Sequence, residues 1–434
     1  MIRHERWSRL AILALAALLG GCGGPPSGDK PSSGNAAKSG DATTSETAKA
    51  PGASGEPFVI GVAGPFTGNS SEFGAQIKMG VELYAQELNA AGGINGRPIK
   101  LNIQDDAGKA DQAQSVATTL ASDDSVLAVV GHFNSSCSLA GKPLYSQAKM
   151  VLFSPASTNV DVTKNSDYIY RNIFTDDFQG QSLAQYAGQI LGKKNVAILF
   201  DNDDYGAGLK DSFKKKAAQL GMTIVSEAAY NKDTPDFRSQ LTTVQSAQPA
   251  ADAILVAGLY NEAANIARQA RELGIKTQLL GGDGVFSQQY MTLAGEAAEG
   301  TFVSCPFLFE LGGEKGPKFA EAFRKKYNKE ADAWAALSYD AISIICDGIR
   351  KNGFEREGIL KYIKGINSAE TAYDGLAGKT FFDAEGDCKK PVQVAEVKGG
   401  KFVAAQKQLP AGDSAASIAP PAAPSAAATQ TTAP

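Results

Sequence analysis

The sequence predicts an α/β protein of two lobes, and three observations predict it. Short β-rich runs alternate with helical patterns from residue 58 to about residue 409. Those runs are apolar without alternating with polar residues, as suits strands buried on both faces of a parallel sheet. The alternation also persists over roughly 350 residues, beyond the 250–300 at which single cores stop growing.

Residues 1–21 read as a secretory signal: Arg3, Arg6 and Arg9 are followed by an apolar stretch from Leu10 to Leu19. That stretch is about half the ~20 residues of a membrane-spanning helix. Leu19-Gly20-Gly21-Cys22 resembles a bacterial lipobox, which implies cleavage before Cys22 and acylation of its thiol. Removal of 1–21 takes away three Arg and one Glu and moves the net charge from −4 to −6. The outcome is an exported chain, lipid-anchored at the cell membrane and facing the periplasm or cell exterior. Between Cys22 and residue 57 no Val, Leu, Ile, Met or aromatic residue follows the cysteine. Such a stretch cannot bury enough apolar surface to offset its chain entropy, and 22–57 is expected to be a disordered tether reaching about 30 Å.

The predicted strands are Val59–Val62, Leu101–Ile103, Val126–Val130, Val151–Phe153, Val196–Phe200, Ile254–Val256 and Leu279-Leu280. Ile77, Val81, Tyr84 and Leu88 share one face of a helix that ends at Gly92-Gly93. Phe213, Ala217 and Leu220 before Gly221, and Ala263, Ile266, Ala270 and Leu273 before Gly274, repeat the pattern. From Pro410 to Pro434 the chain is Ala/Pro/Thr-rich, with Ile418 its one larger aliphatic residue, and 410–434 reads as a disordered tail.

Composition excludes several functions. With 42 Lys+Arg against 46 Asp+Glu and no basic blocks, nucleic acid is not an expected partner. Of two histidines, His4 lies in the signal, so His132 alone would have to serve a metal centre or a catalytic triad. No enzyme, cofactor or metal is expected. Gly375-Leu376-Ala377-Gly378-Lys379-Thr380 mimics a phosphate loop, but Tyr373 stands where its first glycine is required.

In doubly wound sheets ligands bind beyond the carboxyl ends of the strands, where strand order reverses. In the first half those loops carry small hydroxylated residues, in Ser135-Ser136 and Ser154-Pro155-Ala156-Ser157-Thr158. In the second half they carry carboxylates and tyrosines, around Asp204-Tyr205, Tyr260 and Gly282-Asp283-Gly284. Facing lobes would offer donors to an anion on one side and acceptors to a cation on the other, which is what a zwitterion requires.

These residues resemble the type I periplasmic solute-binding proteins, specifically the leucine/isoleucine/valine-binding components of ABC importers. The matching motifs include Ala63-Gly64-Pro65, Leu88 to Gly96, Gly131-His132 with Ser135-Ser136, Ser154 to Asn159, Asp204-Tyr205-Gly206 and Ala294 to Gly300. The resemblance implies two Rossmann-like lobes joined by about three crossover strands. Lobe 1 would comprise 58–176 and 307–381, and lobe 2 177–306 and 382–409. It further implies an amino acid, branched-chain or related, as ligand, ABC permease subunits as partners, and a monomer. A short amide, urea or an aromatic acid on the same scaffold, or a ligand sensor for a signalling partner, remain the alternatives.

By the same resemblance Ser135 and Thr158 would hold the ligand carboxylate, with the Ala156 carbonyl, the Thr158 hydroxyl and Asp283 near the ammonium. Ser157, Tyr205, Tyr260, Phe73, Phe133 and Trp334 would complete the wall. Branched-chain binders usually carry Glu at the place of Asp283. Phe73, Phe133 and Trp334 stand where Tyr, Leu and Phe are common, which bears on side-chain specificity. The residues alone also permit plainer roles: Asp283 as a turn residue, Ser135 and Ser136 as helix caps, and the tyrosines as packing aromatics. Asp105-Asp106 reads as a turn or hinge rather than a metal site, and His132 as structural. Apart from Cys22, the chain has Cys137, Cys305, Cys346 and Cys388. These allow three pairings in an oxidising compartment. Family topology favours Cys305–Cys388, with free buried thiols as the alternative.

Overall fold

The computed structural model describes residues 55–311 and 313–410. The signal segment, Cys22, nearly all of the tether and the tail after residue 410 lie outside the described residues.

The first sheet holds β1 (Phe58–Gly64), β2 (Ile99–Asp105), β3 (Val126–Val130), β4 (Val151–Ser154) and β5 (Ile169–Arg171), in the order β2-β1-β3-β4-β5. Every pairing is parallel. Between the strands run α1 (Ser71–Ala90), α2 (Ala110–Ala121) and α3 (Ser135–Gln147). Phe58, Ile60 and Val62 of β1 join one apolar cluster while Ala63 joins another on the opposite face; Val151 and Phe153 divide from Leu152 in the same way. Both faces are therefore covered, which is why these strands read as continuous apolar runs.

After β5 the chain passes to α4 (Asp176–Gln185) and builds a second sheet. Its strands are β6 (Asn195–Asp201), β7 (Thr223–Tyr230), β8 (Ala253–Ala257), β9 (Gln278–Gly281) and β10 (Phe302–Cys305), with α5 (Asp204–Gln219), α6 (Arg238–Ser246), α7 (Tyr260–Glu272) and α8 (Gln288–Ala294) between them. A second pass leads to α9 (Lys315–Tyr327), α10 (Ala333–Asn352) and α11 (Arg356–Lys364). Ile342, Ile345 and Ile349 of α10 pack in the cluster of β1 and β4, so this helix covers the first sheet. A methyl group on Gly80 of α1 would sit 2.3 Å from the Ala335 carbonyl oxygen, so only glycine permits the close approach of α1 to α10. After the small hairpin β11 (Tyr373–Gly375) and β12 (Gly378–Thr380), a third pass adds β13 (Gln393–Lys398) and β14 (Lys401–Ala404) to the second sheet. That sheet runs β14-β13-β10-β9-β8-β6-β7, with antiparallel pairing only at β10-β13 and β13-β14.

All seven predicted strands are present. β7 escaped prediction because it is an edge strand whose exposed residues interrupt the apolar run, and β5 and β10 are only three and four residues long. The Cys305–Cys388 pairing is not formed. Both are free thiols in different apolar clusters: Cys305 Sγ lies 3.6 Å from the Gln393 carbonyl oxygen, Cys388 Sγ 3.4 Å from that of Ile173. Cys137 and Cys346 are also free and buried.

Candidate functional site

Strand order reverses between β1 and β3 in the first sheet and between β6 and β8 in the second. The loops beyond these switch points line a small cavity that opens partly to solvent. From the first sheet come Phe133, Asn134 and Ser135 after β3, and Ala156 and Thr158 after β4. From the second come Tyr205 at the start of α5, Leu259 after β8, and Asp283 and Gly284 after β9.

The first-sheet side is rich in donors. Ser135 opens α3, whose first turn offers backbone N–H groups and the positive end of a helix dipole. Its hydroxyl oxygen accepts the Asn159 N–H at 3.2 Å. The Thr158 hydroxyl is buried without a hydrogen-bond partner among the described residues. Buried Arg171 holds this loop from behind. Its Nη1 donates to the carbonyls of Ser157 (2.7 Å) and Asn159 (2.9 Å), and its Nε to Asp387 Oδ1 (2.7 Å).

The second-sheet side is acidic. Asp283 is 2 % exposed, and its Oδ1 accepts the Tyr205 hydroxyl at 2.7 Å and Gln179 Nε2 at 2.9 Å. Its own backbone N–H donates to Gln179 Oε1, which also accepts the Ser304 hydroxyl. Burial pushes its carboxyl up to about 6, against the opposing pull of the Tyr205 and Gln179 hydrogen bonds. Asp176, the first residue of α4, is 1 % exposed, and neither carboxylate oxygen has a hydrogen-bond partner among the described residues. Burial, then the charge of Asp283, raises its carboxyl well above the usual range. Sequence reading passed over Asp176. Its one local signal, a carboxylate in the first turn of a helix, also describes an ordinary dipole partner.

The remaining predicted residues lie elsewhere. Ser157 does not line the cavity: its hydroxyl bonds the Ser138 hydroxyl and the His132 and Phe133 carbonyls, bracing the loop. Phe73, Tyr260 and Trp334 stand behind Phe133 instead of lining the cavity. Phe73 stacks on Phe133 at 4.2 Å and 15°, and Trp334 and Tyr260 present edges to Phe73. The Trp334 indole N–H donates to the Phe286 carbonyl at 3.1 Å, and the Tyr260 hydroxyl to the Asn69 carbonyl at 2.6 Å. His132 is structural: Nδ1 lies 2.6 Å from Asp106 Oδ2 and Nε2 lies 3.1 Å from the Tyr145 hydroxyl. Asp105 organises its turn by accepting the N–H groups of Phe66 and Ala107. Among the described residues no cluster of His, Cys, Asp and Glu could hold a metal ion.

The chain resembles known proteins over nearly all of this region. The family model described as periplasmic binding protein matches residues 57–401. An amino acid binding protein of Pseudomonas aeruginosa is 33% identical over 319 residues, 73% of this chain and 78% of that protein. Among solved structures, a leucine binding protein of Thermotoga maritima superposes with TM-score 0.76 at 32% identity, covering 82% of this chain and 99% of that one. A branched-chain amino acid transporter substrate binding protein of Streptococcus pneumoniae, in complex with isoleucine, gives TM-score 0.75 at 30% identity, covering 80% and 98%. The family consists of binding proteins, not enzymes, and works outside the cytoplasm; with its model matching 57–401 and its two-sheet fold reproduced here, this chain belongs to the periplasmic binding protein family.

Proposed function

We propose that this chain is the lipid-anchored substrate-binding component of an ABC importer, that it binds one amino acid between its two sheets, and that it presents the closed form to a membrane permease as a monomer. The observation that carries the reading is Asp283, a fully buried carboxylate with no cationic side chain beside it among the described residues, facing the donors of Ser135 and Thr158 across a small cavity. A buried charge needs a partner, and a ligand ammonium supplies it. The Ser135 and Thr158 hydroxyls and the start of α3 suit the ligand carboxylate, with the Ala156 carbonyl as a further ammonium acceptor. Asp176 adds negative charge on the ammonium side.

Closure favours the bound state only through contacts made in it, and those must come from both sheets. With water excluded, charge-assisted hydrogen bonds in the cavity strengthen. Solved relatives that bind leucine and isoleucine support an amino acid as ligand. An aromatic acid, a short amide or urea would leave Asp283 without a cation. Calorimetry of the folded chain against amino acids, benzoate and urea tests the reading: amino acids bind and the others do not. Binding of benzoate or urea with no response to any amino acid would overturn it.

A further inference from the structure

We infer that Asn159 and Ser136 form a clasp across the two sheets that closes on Asp204, at the start of α5, as the ligand is taken up; both act as positioning residues for the site, and the inference rests on the amino-acid reading. None of the three lines the cavity, yet each is the chain neighbour of a residue that does. Ser136 follows Ser135, Asn159 follows Thr158, and Asp204 precedes Tyr205. Both backbone groups of Asp204 are engaged from the first-sheet loops. Asn159 Nδ2 donates to its carbonyl at 2.6 Å, and the Ser136 hydroxyl oxygen accepts its N–H at 3.4 Å. That N–H belongs to the first residue of α5 and has no partner within the helix.

The Asn159 amide is buried and held in place for this contact. Its Oδ1 accepts the Asp161 N–H at 2.9 Å, which turns Nδ2 towards α5. Its backbone N–H and carbonyl are committed to the Ser135 hydroxyl and to Arg171 Nη1, so the residue moves only with the loop that carries Thr158. The helix makes room for the amide at Gly208. Glycine in a helix interior is unfavourable relative to alanine, but a methyl group here would stand 3.0 Å from Asn159 Nδ2 and 2.9 Å from Asp176 Oδ2. Neighbouring Cα atoms are about 3.8 Å apart. A ligand that draws Ser135 and Thr158 towards Tyr205 and Asp283 therefore carries Ser136 and Asn159 onto Asp204 in the same motion. Contacts made only in the closed form favour that form and slow release without touching the ligand.

The test compares the unmodified chain with Asn159→Ser and Ser136→Ala by calorimetry, stopped-flow kinetics and ligand-free melting. Serine at 159 keeps a short acceptor for the Asp161 N–H but cannot reach Asp204. The probe is whichever of leucine, isoleucine, valine, alanine and threonine binds the unmodified chain tightest. Asn159→Ser should weaken that binding about three- to tenfold, through faster dissociation at an unchanged association rate. The ligand-free melting temperature should stay the same, because the clasp forms only on closure. Ser136→Ala loses the longer bond and should speed dissociation by less. An unchanged dissociation rate in Asn159→Ser would overturn the clasp and leave the amino-acid reading standing. So would a loss of affinity accompanied by a lower ligand-free melting temperature, the mark of a brace present with or without ligand. Absence of binding by every amino acid in the unmodified chain would overturn that reading, and the inference with it.

Discussion

The Tyr205 hydroxyl donates to Asp283 Oδ1 at 2.7 Å and in turn accepts the Gly284 N–H at 3.0 Å, so a single phenol orients the buried carboxylate and holds the turn that carries it. Together with Gln179, which grips the same Oδ1 and the Asp283 backbone N–H, this fixes where negative charge meets the cavity. Asp283 therefore faces a ligand already oriented, and little side-chain entropy remains to be lost on binding.

Asp283→Asn removes one charge-assisted bond to a ligand ammonium while keeping the size of the side chain. Affinity for the best amino acid should fall by about 1.5–3 kcal/mol. Unchanged affinity by calorimetry would take Asp283 out of the site.

Acidification should act in opposite directions on the free and bound protein. The Asp283 carboxyl is raised to about 6, and that of Asp201, also by burial, to about 8. A group raised above its unfolded value favours folding below the unfolded pKa and loses that contribution as pH climbs through the folded one. The ligand-free protein should thus melt at higher temperature at pH 5 than at pH 8. A bound ammonium needs the ionised carboxylate, so amino-acid affinity should decline as pH falls below about 6. Melting curves and titrations across this range, with and without ligand, check both signs.

Tyr260→Phe deletes the hydroxyl that donates to the Asn69 carbonyl from the loop of the opposite sheet. The edge-on contact with Phe73 survives, so the fold should be unaffected. Losing one such bond should weaken ligand binding by about 0.5–1.5 kcal/mol, chiefly through faster dissociation. Stopped-flow dissociation rates equal to those of the unmodified protein would show that the contact does not hold the closed form.

The four cysteines of the folded region should remain unreactive in the native protein. All are buried, and burial pushes the thiols of Cys346 and Cys388 up to about 12, which starves them of thiolate. A thiol reagent should label Cys137, Cys305, Cys346 and Cys388 only after denaturation, without prior reduction. A gain in intact mass on reduction would instead reveal a disulfide.

Much of the architecture was legible before any coordinates. Ile77, Val81, Tyr84 and Leu88 announced α1 because a helix repeats every 3.6 residues, and unbroken runs such as Val126–Val130 announced strands covered on both faces. The placing of Ser135, Thr158, Tyr205 and Asp283 just after strand runs marked them as residues of the carboxyl-end loops, and all four are among the residues that line the cavity. Local pattern could not separate lining residues from those behind them. Ser157 is adjacent to Thr158 and equally hydroxylated, yet it turns inward to the His132 and Phe133 carbonyls. Phe73, Tyr260 and Trp334 became a brace for Phe133, and Asp176 became a buried carboxylate near Asp283, through contacts between residues far apart in the chain. Periodicity and chain chemistry act over a few residues and so are written locally. Depth, facing and pairing arise only when distant loops meet, and there the cost of burying each polar group is decided.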